Sequence, residues 1–256
     1  MTSTALATAA KGALAEPPPL EFARCALFAD LDGTLAPIRA RPQDVGPDDR
    51  RASLLDRLSA ALGGRFAVIS GRSLEDLDRV LEGRVPALAA VHGLVRRTAD
   101  GRVIVAEDSL PEPAREAFLN LGASNPALLV EDKGPAIALH YRAAPEAKDA
   151  CEAAAARLAE RYGLEVQKGR MVVELRAPGP TKADATAAFM AEPPFAGARP
   201  IFLGDDLTDE DGFLAAAHLG GYGVVVGARR PTAAAYALTD VEAALAWLRH
   251  SLGPEA

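Results

Sequence analysis

The chain repeats one alternation: a short apolar run, a turn bearing polar groups, then a helical pattern. The apolar runs are CALFADLD (25–32), RFAVISG (65–71), PALAAVHG (86–93), RPIFLG (199–204) and YGVVVG (222–227). Between and after them lie the helical patterns DDRRASLLDRLSAAL (48–62), SLEDLDRVL (73–81), TKADATAAFMAE (181–192), TDEDGFLAAAHL (208–219) and VEAALAWLRHSL (241–252). Strands alternating with helices predict an α/β fold with a doubly wound, mostly parallel, Rossmann-like core sheet. VRRTADGRVIVA (95–106) adds a hairpin around Asp100-Gly101.

The middle of the chain departs from this rhythm. LPEPAREAFLNLG (110–122) reads as a helix and ALLVEDKGPAIALHYR (127–142) as two strands joined near Lys133-Gly134. APEAKDACEAAAARLAERYG (144–163) reads as a long helix and LEVQKGRMVVELRA (164–177) as a hairpin around Lys168-Gly169. Helix, two strands, helix, two strands is a smaller α+β unit. The expected organisation is therefore a disordered arm at 1–19, a core domain at 20–107 and 178–256, and an inserted cap-like domain at 108–177.

Composition narrows the function classes. A net charge of −7 over 256 residues argues against nucleic-acid binding, which needs a cationic face. It leaves room for a small anionic substrate, because a few local cations and a metal dominate one pocket. Cys25 and Cys151 form no CxxC or Cys/His pattern, so buried free thiols in a reducing, cytoplasmic compartment are expected. The leader lacks the apolar core of a signal peptide, and no run approaches the roughly 20 residues of a membrane span. Oligomeric state is unconstrained by the sequence, and a monomer is compatible with it.

In open parallel sheets, ligands sit at the carboxyl ends of the strands. Here those ends carry Asp30 and Asp32 with Gly33-Thr34, then Ser70-Gly71-Arg72, then Lys182 at a helix start, then Asp205-Asp206. Residues two apart in an extended segment share a face, so Asp30 and Asp32 can point into one site. Two carboxylates that close require a joining cation or a shared proton. Both conditions suit phosphoryl transfer, with Asp30 as nucleophile and Asp32 as general acid/base. The Ser70 hydroxyl and the N–H groups around Gly71 and Arg72 can hold a phosphate at a helix N-terminus. Lys182 sits where the helix dipole disfavours a cation, so an anionic neighbour is expected. Two capping boxes are also expected, Ser73 with Asp76 and Thr208 with Asp211. Asp209 and Glu210 fall in the first turn of their helix, and Asp209 is within reach of a metal shell or of Lys182.

DLDGTL, SGR, the helix-start lysine and GDDLTDED, in this order, resemble the four motifs of haloacid-dehalogenase-like phosphohydrolases. The runs AVHG, EDKGPAIALHYR and GRMVVELR, with GDDLTDEDGF, resemble those of trehalose-6-phosphate phosphatases. The lysine motif departs by reading TKAD, without glycine after the lysine. The resemblance implies Mg²⁺ held by the Asp30 side chain, the Asp32 backbone carbonyl and Asp205, with Asp206 as a further ligand or an orienting group. It implies phosphate binding by Thr34 and Ser70, and charge neutralisation by Lys182. It also implies a cap that contacts the sugar through Lys133, His140, Arg142, Glu174 and Arg176. Tyr141, between two of these, is expected to face the opposite side and pack. The implied activity is Mg²⁺-dependent hydrolysis of trehalose 6-phosphate through an aspartyl-phosphate. The alternatives are a phosphatase for another sugar phosphate, such as that of sucrose or mannosylglycerate, and a receiver-like phospho-Asp module. Asp32 and the insert argue against the receiver.

Overall fold

The computed structural model describes residues 14–107, 109–169, 171–227 and 231–253. Most of the expected arm (1–13), the boundary residue Asp108 and Arg170 of GRMVVELR lie outside the described residues. Residues 14–19, which the sequence reading assigns to that arm, are placed on the core: Ala237 donates its N–H to Ala15 and the Trp247 indole donates to Pro18. The indole and a sheet edge each need a backbone acceptor there, and the proline-containing segment supplies carbonyls.

In chain order, β1 (Cys25–Ala29), α1 (Asp49–Ala61), β2 (Phe66–Ile69), α2 (Leu74–Leu81), β3 (Ala87–Ala90), β4 (Val95–Arg97) and β5 (Val103–Val105) form the first half of the core. The inserted α3 (Glu112–Ser124), β6 (Leu129–Asp132), β7 (Ala136–His140), α4 (Lys148–Tyr162), β8 (Glu165–Gly169) and β9 (Val172–Arg176) come next. The chain then returns through α5 (Lys182–Met190), β10 (Arg199–Gly204), α6 (Asp209–His218), β11 (Tyr222–Val226), β12 (Tyr236–Leu238) and α7 (Val241–Leu252). The core sheet has the order β12-β11-β10-β1-β2-β3-β4-β5. It is parallel from β12 to β3, and the β4–β5 hairpin extends it antiparallel.

All five residues of β1 are buried, because helices cover both faces of the sheet and a strand there cannot keep a polar side. The pleat sorts its side chains. Leu27 and Ala29 join one apolar cluster with Leu55, Leu58, Val68 and Leu248, while Ala26 and Phe28 join the other with Phe189, Phe202 and Phe213. Alanines at 26, 67, 87 and 89 on the second face leave room for large rings. There Phe195 lies 5.5 Å from Phe28 and 5.3 Å from Phe189, centroid to centroid.

The inserted unit is a four-stranded antiparallel sheet, β6-β7-β9-β8. Ile137, Leu139, Val173 and Leu175 bury one face in a cluster with Phe118 of α3 and Cys151 of α4. Tyr141 is buried in the same cluster, as alternation requires. The opposite face carries a cross-strand row, Glu131, Ala138, Glu174 and Gln167, fixed by the pairings Glu131–Ala138, Ala138–Glu174 and Glu174–Gln167. Both cysteines are free and buried. Among the described residues no helix is long and apolar enough to cross a membrane. Phe195→Ala removes a ring with no exposed surface and should cost about 3–5 kcal/mol, read as a lower urea midpoint at unchanged slope.

Candidate active site

Asp30 directly succeeds β1, and its N–H donates to Leu203 of β10 at 2.9 Å. That bond ties the nucleophile candidate to the strand whose end carries Asp205. The turn between Asp30 and Thr34 needs a residue without a side chain, since a Cβ on Gly33 would lie 2.1 Å from an Asp205 carboxylate oxygen. Asp30, Asp205 and Asp209 thereby converge, with one oxygen from each within 4.8 Å of the others. The sequence offers Asp206 as a ligand or an orienting group here, and Asp209 as able to reach the shell or Lys182. Asp206 lines the cavity and turns a carboxylate oxygen to the Leu207 N–H, 2.5 Å away, while Asp209 takes the inward position and also accepts the Asp206 N–H at 3.0 Å.

Lys182 explains why Asp209 turns in. Its ammonium is buried, 2.7 Å from Asp209 and 3.2 Å from Asp30 Oδ1. Burial opposes that charge, but Asp209 and then Asp30 outweigh it and raise the lysine's pKa. The anionic neighbour expected for Lys182 is thus two carboxylates. The lysine is not aligned to hydrogen-bond Asp30 Oδ1, which is buried without a hydrogen-bond partner among the described residues. Burial pushes Asp30 well above the usual carboxylate range; the pull of Lys182 opposes this, and Asp209 and Asp205 add to it. Burial, with Asp209 and Asp206 behind it, raises Asp205 to about 7.

The capping boxes change accordingly. Thr208 has helical angles and caps nothing with its side chain, because α6 begins with Asp209 drawn inward by the buried lysine. Glu210 accepts from Thr232 and the Ala233 N–H. At α2 the Ser73 hydroxyl does accept the Asp76 N–H. The Asp76 carboxylate, however, binds Arg72 and Arg79 instead of completing the box, since a buried guanidinium competes better for it than a lone N–H.

Arg72, expected to bind phosphate, is buried and already engaged. It holds Asp32 through two bonds of 2.5 and 2.7 Å, pairs with Asp76 and donates to the Pro42 carbonyl. In this structure it positions Asp32. Ser70 and Gly71 line a cavity of about 210 Å³ together with Asp30, Asp32, Lys182 and Asp205. Thr34 is buried with an unpartnered hydroxyl but does not line that cavity.

The polar face of the inserted sheet closes the cavity from the other side. Lys133, His140 and Arg142 line it. Glu174 is buried behind Lys133, which donates to its Oε2 at 2.5 Å. Arg176, expected to touch sugar, is buried and donates to the Gly179 and Pro180 carbonyls, so it ties β9 to the return segment. Two residues of this polar face escape sequence reading. Glu131 lines the cavity and pairs with His140 at 2.9 Å; burial opposes its ionisation, but His140 and Lys133 hold its pKa below the usual range. Gln167 is the other, and its amide nitrogen lies 3.0 Å from Nε2 and 3.1 Å from Nδ1 of His92, in the core turn after β3. The alternation that places Glu174 also finds Glu131 and Gln167, once the cross-strand register is known. A larger surface cavity of about 690 Å³ between α1 and α7 contains none of the converging acids.

An acid with a raised native pKa binds its proton more tightly folded than unfolded, so its ionisation costs stability as pH rises above the unfolded value. In metal-free protein, Asp205→Asn should therefore raise the melting temperature at pH 7.5 and raise it less at pH 5, where Asp205 is protonated. Calorimetry at the two pH values in chelator checks the difference.

A sequence profile of the family described as trehalose-phosphatase matches residues 28–242. The chain is 41% identical over 240 residues to trehalose-6-phosphate phosphatase of Escherichia coli K12, covering 92% of this chain and 89% of that protein. It is 39% identical over 233 residues to a probable trehalose-phosphate phosphatase of Sinorhizobium fredii, covering 87% and 88%. The C-terminal domain of C. albicans trehalose-6-phosphate phosphatase shares the fold at a TM-score of 0.79 and 24% identity, covering 94% of this chain and 99% of that one. The chain belongs to the trehalose-phosphatase family of phosphoric monoester hydrolases.

Proposed function

We propose that this protein hydrolyses trehalose 6-phosphate to trehalose and phosphate with Mg²⁺ as cofactor, the inserted unit at 108–177 acting as a cap over the core. The observation that carries the chemistry is the converging trio Asp30, Asp205 and Asp209, two of them buried against one ammonium and Asp205 half-buried beside them. Three acids against one cation leave uncompensated negative charge, which adds to burial in raising Asp30 and Asp205. A hard divalent cation with oxygen ligands fits such a donor set. Asp30 and Asp205 would hold it, with Asp209 beside them. When bound, Mg²⁺ supplies charge neutralisation and polarises the phosphoryl oxygens.

The chain's own residues supply the remaining roles. Asp30 attacks phosphorus, and an aspartyl-phosphate forms as the ester oxygen leaves. Asp32, on the wall of the same cavity, gives that oxygen a proton. It then takes one from the water that cleaves the intermediate. The Arg72 fork holds Asp32 in place between these two transfers. Lys182 balances the charge of Asp30 and of the phosphate, and the Ser70–Gly71 turn offers a hydroxyl and N–H groups to the phosphate oxygens.

The substrate assignment rests on the family and on the cap face. Charged and amide groups ranged along one sheet face suit a ligand with many hydroxyls, and Lys133 keeps its charge although buried, because Glu174 and Glu131 offset the desolvation. The 210 Å³ cavity is smaller than the usual 300–1,000 Å³ of ligand clefts, so entry of a disaccharide phosphate requires the cap to move outward.

Phosphate release from a panel of sugar phosphates tests the assignment. Trehalose 6-phosphate should be the best substrate by at least about tenfold, and chelation should abolish turnover that Mg²⁺ restores. Preference for another sugar phosphate overturns the substrate assignment. Asp30→Asn should abolish turnover, to below about 1% of wild type, while leaving the circular dichroism spectrum intact; substantial residual turnover would refute the nucleophile.

A further inference from the structure

His92 lies in a strained turn that the proposed reaction leaves without a task. Val91, His92 and Gly93 have successive φ values of 48°, 58° and 115°. The first two are left-handed without being glycine, and each costs about 1–3 kcal/mol. Their neighbours enforce the turn. The Val91 N–H donates to Arg72 and the His92 N–H to Ser70, both at 2.9 Å. A Cβ on Gly93 would come within 2.5 Å of the Thr181 carbonyl. The turn is wedged between the phosphate-binding turn and the start of α5.

That wedge fixes where the imidazole goes. Its Nε2 lies over Gly71, so close that a Cβ there would be 2.4 Å away. Across the cleft, Gln167 of the cap reaches the ring. Glu174 Oε1 stands 3.9 Å from Nε2, too far for a hydrogen bond. That oxygen is buried and has no partner among the described residues, its twin being taken by Lys133. Burial, with Lys182, Lys133 and Arg176 nearby, lowers the His92 pKa and keeps the ring neutral. A neutral imidazole has one acceptor and one donor nitrogen. The Gln167 amide nitrogen lies 3.1 Å from Nδ1 and 3.0 Å from Nε2; in the tautomer with Nδ1 as the acceptor of that amide, the Nε2–H on the Glu174 side serves a second partner. Glu174 lines neither neighbouring cavity as placed, so a hydroxyl admitted when the cap moves outward would accept from the N–H and donate to this carboxylate oxygen, now 3.9 Å apart. His92 also lines both the 210 Å³ cavity and a neighbouring one of about 250 Å³, so it stands where a two-ring ligand would pass from one to the other.

We propose that His92 determines substrate specificity: with Glu174 it holds one hydroxyl of the sugar bound between core and cap, and Gln167 orients its ring. This rests on the reading of the protein as a sugar-phosphate phosphatase with a cap. The strained turn then has a purpose, since it brings a core side chain up to the Glu131–Gln167 row of the cap.

The test measures His92→Gly, which accepts the left-handed backbone and removes the imidazole, beside Gln167→Leu. Each is compared with wild type on trehalose 6-phosphate and on p-nitrophenyl phosphate, a substrate without sugar hydroxyls. For His92→Gly, kcat/KM on the sugar ester should fall about 10- to 100-fold, the scale of leaving a buried hydroxyl without its hydrogen-bond donor, mostly through KM. The fall on the aryl ester should be at least about tenfold smaller, and the melting temperature should hold or rise. Gln167→Leu, which leaves the core turn untouched, should show the same split more weakly. Equal losses on both esters, or no loss on the sugar ester, in either variant would overturn the proposal. A wild-type enzyme inactive on trehalose 6-phosphate would overturn the functional reading itself, and this proposal with it.

Discussion

One buried ammonium, Lys182, organises the core of this protein. It stands between Asp209 and Asp30 on elements that are far apart in sequence, and the local geometry answers its need for charge. Asp209 gives up any role as a surface acid at a helix start. The N-terminus of α6 goes without its expected threonine cap. A lone lysine this deep would lose its proton; two carboxylates prevent that and already outnumber its single charge, and a third acid widens the excess. The site is thus built short of one cation, and a divalent metal would answer a deficit that the protein creates for itself.

A second ionic knot, Arg72 with Asp32 and Asp76, does for orientation what Lys182 does for charge. Its three acceptors come from the β1 turn, the loop after it and α2. An acid that must both give and take a proton benefits from being held by two parallel bonds, which fix the plane of the carboxylate without covering its outer lone pairs. Holding the proposed general acid through a helix also links its position to the packing of the core rather than to a mobile loop.

Much of this is legible in the sequence because it depends on local order in the chain. Strands buried on both faces read as unbroken apolar runs, and polar residues at their ends mark the cleft. The fold class is therefore visible in the chain alone, and so is the convergence of Asp30, Asp32, Ser70, Lys182 and Asp205 on one cavity. What the chain alone leaves undecided shares a cause. Arg72 and Arg176 have long side chains, and what they bind is decided by segments that only the fold brings near. Sequence alone offers both as ligand contacts; in the structure both hold the protein itself, and each also lines a cavity of the cleft. Asp206 and Asp209 differ by three positions, and the location of Lys182 draws Asp209 inward. Glu131 and Gln167 require the register of three strand pairs. The three-residue β12 is too short for a period to show.

The inserted sheet has one further consequence. Ile137, Leu139, Val173 and Leu175 face the two helices, and the polar row faces the cleft. The two sets alternate along the same strands but point in opposite directions. Residues of the polar row can therefore be exchanged without disturbing those that keep the unit folded. If that row selects the sugar as proposed, such a division would let the preferred sugar change while the residues proposed for phosphoryl transfer, lodged at the other sheet, stay as they are.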